Sequence, residues 1–204
     1  MIGLSVKTPT RAKSLREKIS KRLKVDKSFK MNLLKEEKKF WQRHFRIEKL
    51  EDIPQKWSGY KSIDSDNDDE FLYFFTLRVS SILEIHLKDT LVTDEGVKHI
   101  AKLKDLEILY LRNHSKITKA SIPFFNEMTS LQSLNITKTE ISLSDICDSL
   151  DNQSLKEVFL DSEDDEESIL EKVIILKERM PDCSFYLNTS FTTDVFENPI
   201  APIF

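Results

Sequence analysis

Four times along the chain the same spacing of three aliphatic residues recurs: Ile82, Ile85, Leu87; Leu106, Leu109, Leu111; Leu131, Leu134, Ile136; and Leu155, Val158, Leu160. The blocks begin 24, 25 and 24 residues apart, and a further block fits at Phe185 and Leu187 after a step of 27 from Leu160. Within each block the last positions alternate with a period of two, which puts one set of side chains on one face of an extended strand. The residues after each block repeat as well. A turn residue and an aliphatic (Val92, Ile117, Ile141) lead to a polar helix start at Thr93-Asp94, Thr118, and Ser142 or Ser144. Apolar positions then follow at intervals of three and four: Val97, Ile100, Leu103; Ile122, Phe125, Met128; Ile146, Leu150; and Leu170, Val173, Leu176. That spacing belongs to one face of a helix. One strand, one turn and one helix per period predict an α/β solenoid, a curved parallel sheet backed by helices, in which each unit buries its apolar face only against the next.

Segments such as LKDTLVTDEGVKHIAKLKDLEILYL and MTSLQSLNITKTEIS resemble leucine-rich repeats of the short-strand, helix-backed kind, with Thr90, Thr93, Asp94, Gly96 and Ile100 at that family's turn and helix-start positions. The resemblance covers about residues 82–187, over half the chain. Where the family places Asn or Cys after the strand, this chain has Thr90, His114, Thr139 and Glu163. A ladder of Asn side chains is therefore replaced by threonines or water, which must satisfy the turn backbone. In its order of parts, a helical N-terminal segment before four or five repeats, and through no particular motif, the chain is also loosely similar to the small mitochondrial ATP-synthase-associated subunit s family.

Terminal units of a stack need caps. Trp57, Tyr60 and Ile63 sit about one period before Ile82, and Phe71, Phe74 and Phe75 supply a helix-like segment, so residues 53–81 read as a degenerate capping unit ahead of the repeats at 82–187. Behind them, a helix from about Asp164 to Met180 begins on four acidic residues, which complement the positive helix end, and Pro181 stops it. The tail 188–204 carries enough Phe, Ile and Pro to cover the last strand's edge.

Charge divides the chain sharply. Residues 1–47 hold 15 Lys and Arg against 4 Asp and Glu, while the remaining 157 residues hold 16 basic and 31 acidic groups. Residues 1–52 form a basic helical segment or cap: Leu15, Ile19 and Leu23 mark an apolar stripe on a cationic helix over Thr10 to Lys24. Asp26 or Ser28 caps a second helix, about Phe29 to Phe45, crowded with Phe40, Trp41 and Phe45. Such an arm suits a nucleic acid, an anionic membrane surface, an acidic protein, or this chain's own acidic remainder.

The apolar runs fall short of the ~20 residues a membrane span needs, and two cysteines in 204 residues make neither a disulfide framework nor a zinc cluster. A cytoplasmic protein is expected, or a mitochondrial one if residues 1–24 are a transit peptide. No catalytic set emerges. The three glycines, Gly3, Gly59 and Gly96, lie too far apart for a phosphate loop, and the four histidines, His44, His86, His99 and His114, lack metal-ligand spacing. Asp64, Asp66 and Asp68 imitate half of a calcium loop, but Asp69 stands where that loop needs Gly and Phe75 where it needs Glu. An acidic helix start is the better reading, and the same holds for DSEDDEE at 161–167. No cofactor or metal is expected.

What a stacked sheet does offer is a face. Residues between the buried aliphatics point to the concave side, in columns set by the strand spacing. One column reads His86, Tyr110, Asn135, Phe159, Tyr186; the next begins Lys88, Arg112, Thr137, and the preceding one is Glu84, Ile108, Ser133, Glu157, Ser184. Aromatic residues with a polar rim are what protein interfaces favour. The expected function is a protein–protein interaction module that binds through His86, Lys88, Tyr110, Arg112, Asn135, Phe159 and Tyr186. The alternative is an adaptor held to an anionic membrane or nucleic acid by the basic N-terminal helices. Strand propensity, or a terminal segment folded onto the face, would equally place aromatics there.

Overall fold

The structure, a computed structural model, describes residues 34–188 and Pro202. It divides into two units, residues 1–52 and residues 53–204, each described by itself. The helix read at Thr10 to Lys24, the caps at Asp26 or Ser28 and nearly all of the C-terminal tail lie outside the described residues.

In the first unit helix α1 runs over 34–45. Its aromatic residues cluster as read: the Trp41 ring lies 4.9 Å from Phe45 and 5.3 Å from Phe40, and Trp41 and Phe40 are buried. Arg46 then turns left-handed, with φ 58°, and the Ile47 N–H donates back to the Trp41 carbonyl, closing the helix end.

The second unit is α/β. Six strands, β1 (Lys56–Ile63), β2 (Ser81–Lys88), β3 (Ile108–Arg112), β4 (Ser133–Asn135), β5 (Glu157–Asp161) and β6 (Ser184–Asn188), form one parallel sheet in the order of the chain. Helices α2 (Asp69–Thr76), α3 (Asp94–Ile100), α4 (Ile122–Glu127), α5 (Leu143–Ser149) and α6 (Glu166–Arg179) connect them. A parallel pair needs a crossover, and each crossover here runs through a helix, of six to eight residues up to β5 and of 14 residues in α6. The register follows the repeat: Ile85 pairs with Leu109, Leu109 with Leu134, Leu134 with Val158, and Val158 with Phe185. All twelve aliphatics of the four blocks are at most 1% exposed, and Val97, Ile100, Ile122, Phe125, Ile146, Leu150, Val173 and Leu176 bury the helices against them.

The turns repeat as faithfully as the strands. Just after each of the first four strands one residue has a left-handed backbone: Asp64, Asp89, Asn113 and Lys138, with φ between 50° and 60°. Asp and Asn tolerate this region better than most residues. The N–H groups of Asp64, Asp89 and Asn113 donate to carbonyls on or just after the next strand, those of Lys88, Arg112 and Thr137.

A second device joins consecutive strand–turn–helix units through carboxylates. Asp69, in the first turn of α2, accepts from the backbone N–H and the hydroxyl of Thr93, at 2.9 and 2.6 Å. Asp94, in the first turn of α3, does the same for Thr118, both at 2.8 Å, and also accepts from the Ser121 hydroxyl at 2.6 Å. Thr93 and Thr118 each use the same hydroxyl oxygen to accept from their own helix start. At the next equivalent position stands Lys119, and the bracket ends; Ser142 and Asp145 instead form a self-contained capping box on α5.

Gly96, in the first turn of α3, packs against Asp69 and Leu72 of α2. A methyl group there would lie 2.5 Å from Asp69 Oδ1, 2.7 Å from Val92 Cγ1 and 2.9 Å from Leu72 Cδ1, so the position admits no side chain without movement. It is more than a small residue in a first turn.

Two expectations need correction. In the capping unit, Trp57 and Tyr60 do align with Ile82 and Ile85, but Ser62, not Ile63, lies opposite Leu87. Ile63 faces outward, 45% exposed, opposite Lys88. The rung closes on polar groups instead: Asn67 donates to Ser62 Oγ at 2.9 Å and to the Tyr60 hydroxyl at 2.6 Å, and Ser62 and Ser65 share a bond of 2.7 Å. Volume that an aliphatic would fill is taken by Phe71 and Phe75, stacked on Tyr60 and against Trp57. The second correction is Leu170, which is 46% exposed together with Ile174 and Ile175. Among the described residues no helix follows α6 to cover that side, and only Val173, Leu176 and Met180 turn inward.

Candidate functional site

Helices cover the face of the sheet that carries the repeat aliphatics; alternate residues of the strands occupy the other face. Parallel pairing sets them side by side: His86 beside Tyr110, Tyr110 beside Asn135, Asn135 beside Phe159, and Phe159 beside Tyr186. The rings respond to this register by stacking. His86 and Tyr110 lie 5.6 Å apart with an interplanar angle of 21°, and Phe159 and Tyr186 lie 4.4 Å apart at 15°. All four residues are half-buried. The geometry is that of offset aromatic pairs, worth about 0.5–1.5 kcal/mol each beyond their burial.

Between the two stacked pairs the column is interrupted by Asn135, which is buried at 5% exposure. Its side-chain oxygen accepts from the Thr137 N–H at 3.1 Å and from the Thr137 hydroxyl at 2.8 Å. Held down in this way, Asn135 leaves a hollow of about 250 Å³, lined by Ile108, Leu109, Tyr110, Ser133, Asn135 and Phe159. Ser133 donates to Glu157 Oε2 at 3.4 Å, which sets that carboxylate beside one of the lining residues.

The charged members of the expected site separate. Lys88 is partly exposed at the end of β2, 3.8 Å from Asp89. Arg112, its neighbour on β3, is only 5% exposed and therefore offers no open charge. Asn135 likewise serves as a floor rather than a contact. The accessible set is His86, Lys88, Tyr110, Phe159 and Tyr186, with Ile108 and Ser133 from the adjoining column added by the hollow, and Glu157 within reach of Ser133. Small residues on β4 between large ones on β3 and β5 were visible in that column, but their consequence depends on the side-chain directions.

Nucleophiles are quiet. Burial pushes the Cys183 thiol up to about 12 and raises the Cys147 thiol as well, so both stay protonated at neutral pH. Neither forms a disulfide. Among the described residues no group of three His, Cys, Asp or Glu side chains is placed to hold a metal ion. Two of the five carboxylates of the acidic run at Asp64–Glu70 serve the fold: Asp68 caps α2 by accepting from the Phe71 N–H, and Asp69 holds Thr93. No helix among the described residues is long and apolar enough to cross a membrane.

His114 stands in the turn that follows β3. It is 2% exposed, its Nε2 pairs with Thr90 Oγ1 at 2.7 Å, and Nδ1 finds no hydrogen-bond partner among the described residues. Burial lowers its pKa, against a weaker pull upward from Asp89. His99, packed edge-on against Tyr73, is lowered too, first by burial and then by Lys102. A folded state that disfavours the proton is fully stable above the ordinary histidine pKa of ~6.5 and loses stability as pH falls below it. Urea unfolding should therefore weaken between pH 7.5 and 5.5, by at most ~1.4 kcal/mol per pH unit for one group. His114→Gln should flatten that dependence; an unchanged slope would remove His114 as its source.

No protein-family model matches the chain, and no curated protein matches it.

Proposed function

We propose that this chain is a leucine-rich-repeat solenoid whose sheet binds a protein partner, a non-catalytic interaction module of the cytoplasm. The in-register rungs and the recurrence of left-handed turns every 24 or 25 residues support the repeat reading. The single observation that carries the function is the interrupted aromatic column: two stacked ring pairs flank a hollow on the sheet face opposite the helices. Stacking between neighbouring strands stabilises the sheet by itself, but it does not call for a hollow between two ring pairs, whereas interface anchors are rich in aromatics that fill or frame pockets. Lys88 and Glu157 supply charge at the rim and select partners more than they add affinity.

The test is partner capture by the full chain, wild type against Tyr110→Ala plus Phe159→Ala, with identification of the bound protein by mass spectrometry. Loss of two anchors is expected to cost about 2–4 kcal/mol of binding, at least a thirtyfold loss of affinity. Unchanged capture would reject this face. The basic N-terminal segment supports a second reading, attachment to an anionic surface, through its excess of 11 positive charges over residues 1–47. Deleting those residues would abolish salt-sensitive surface attachment under that reading and leave partner capture intact under the first.

A further inference from the structure

The hollow above Asn135 is a slot between two aromatic walls. Tyr110 on β3 and Phe159 on β5 are both next neighbours of Asn135, so they stand two strand spacings apart, roughly 9.6 Å. Each is stacked on its outer neighbour nearly plane to plane, which turns the ring faces along the direction from strand to strand. A flat group at the centre of the slot would therefore lie ~4.8 Å from each wall, within the range of stacked ring systems. It would complete a column of five planar groups, His86, Tyr110, guest, Phe159 and Tyr186.

Charge selects among flat guests. No Lys or Arg lines the hollow, the faces of Tyr110 and Phe159 carry the negative end of the ring quadrupole, and the Glu157 carboxylate lies 3.4 Å from the hydroxyl of Ser133, a lining residue. Residues 53–204 as a whole hold 28 acidic and 15 basic groups. An apolar ring in the slot would strip water from the carboxylate without replacing it. Resting on the binding-face reading above, we propose that this slot takes one arginine side chain of the partner, its guanidinium plane sandwiched between Tyr110 and Phe159 and its N–H fork donating to Glu157. Lysine lacks the plane, and a neutral isostere lacks the charge.

The experiment uses the full chain and fluorescein-labelled nonapeptides of Gly, Ser and Val with one central Arg, Lys, citrulline or Tyr, read by fluorescence anisotropy. The Arg peptide is expected to bind about tenfold tighter than the Lys and citrulline peptides, and more weakly as salt rises. Glu157→Gln should lose several-fold of that preference, and Ser133→Phe, which fills the slot and leaves both walls in place, should abolish it; thermal melts establish that each variant is folded. Should Ser133→Phe fail to fold, Glu157→Gln alone decides. Equal binding of the Arg and citrulline peptides, tighter binding of the Tyr peptide, or no binding of the Arg peptide would overturn the proposal. So would a rise in peptide affinity when Arg11, Arg16 and Arg22 are all changed to Gln, because the guest would then be this chain's own segment. If Tyr110→Ala plus Phe159→Ala removes the captured protein while the peptides show no arginine preference, the face stands and the arginine falls. If capture survives that double change, both fall.

Discussion

Leu111→Ala is expected to destabilise residues 53–204 by about 3 kcal/mol, within the 2–5 kcal/mol range of fully buried leucines cut to alanine. Leu111 is inaccessible to solvent, sits on a central strand with Leu87 beside it, and has helices beneath and strands on both sides. In a sheet whose strands neighbour each other in chain order, a cavity there cannot be filled by moving one loop, because each neighbouring rung is itself closely packed. For about 150 residues the change corresponds to a fall of roughly 6–12 °C in Tm. Urea unfolding followed by circular dichroism measures it. Leu91→Ala is the control: Leu91 is 58% exposed, and its loss is expected to stay within about 0.5 kcal/mol. A loss at Leu111 no larger than at Leu91 would mean that the aliphatic rungs do not form a shared interior.

Asp94→Ala is the second large effect, expected at about 2–3 kcal/mol, because hydrogen bonds to a charged acceptor are worth more than neutral ones and three donors lose one carboxylate together. Those donors are the Thr118 N–H, the Thr118 hydroxyl and the Ser121 hydroxyl. Ser121 is fully buried, so its hydroxyl cannot turn to water instead. Asp94→Asn keeps one oxygen of the bracket and should cost less than half as much. Thr118→Val separates the bracket from general packing at α3: in a double-mutant cycle with Asp94→Ala the coupling should reach about 1 kcal/mol or more. Additive effects would show that the carboxylate does not join the two coils.

Much of this arrangement is legible in the chain because apolar spacing and strand register are the same information. Once Leu109, Leu134 and Val158 occupy equivalent places in their blocks, burying them on one side of a parallel sheet leaves no freedom to slip by one residue, and the column from His86 to Tyr186 follows. The capping unit lacked that protection. Ile63 is an aliphatic at nearly the right distance, whereas the rung closes on Ser62 through hydrogen bonds to Ser65 and Asn67 that leave no hydrophobic signature. Leu170 misled in the opposite way, since a helical spacing shows a stripe but not whether a neighbour exists to cover it. Polar geometry was the least visible. The recurrence of Asp69 and Asp94 one period apart was present in the chain, but that they hold the following threonines depends on where the helix starts lie in space. At the candidate site the column was readable and the hollow was not. Arg112 and Asn135 look alike with their neighbours in one dimension, and only burial shows that the first is covered and the second is a floor.

The most direct test is the set of inter-strand backbone contacts in a nuclear Overhauser spectrum of the labelled chain. Parallel pairing in chain order places Ile85 against Leu109, Leu109 against Leu134, Leu134 against Val158 and Val158 against Phe185. Cross-peaks linking each of those four pairs are expected, in the pattern of parallel strands. Antiparallel contacts, a shift by one residue in any pair, or a strand order other than that of the chain would contradict it.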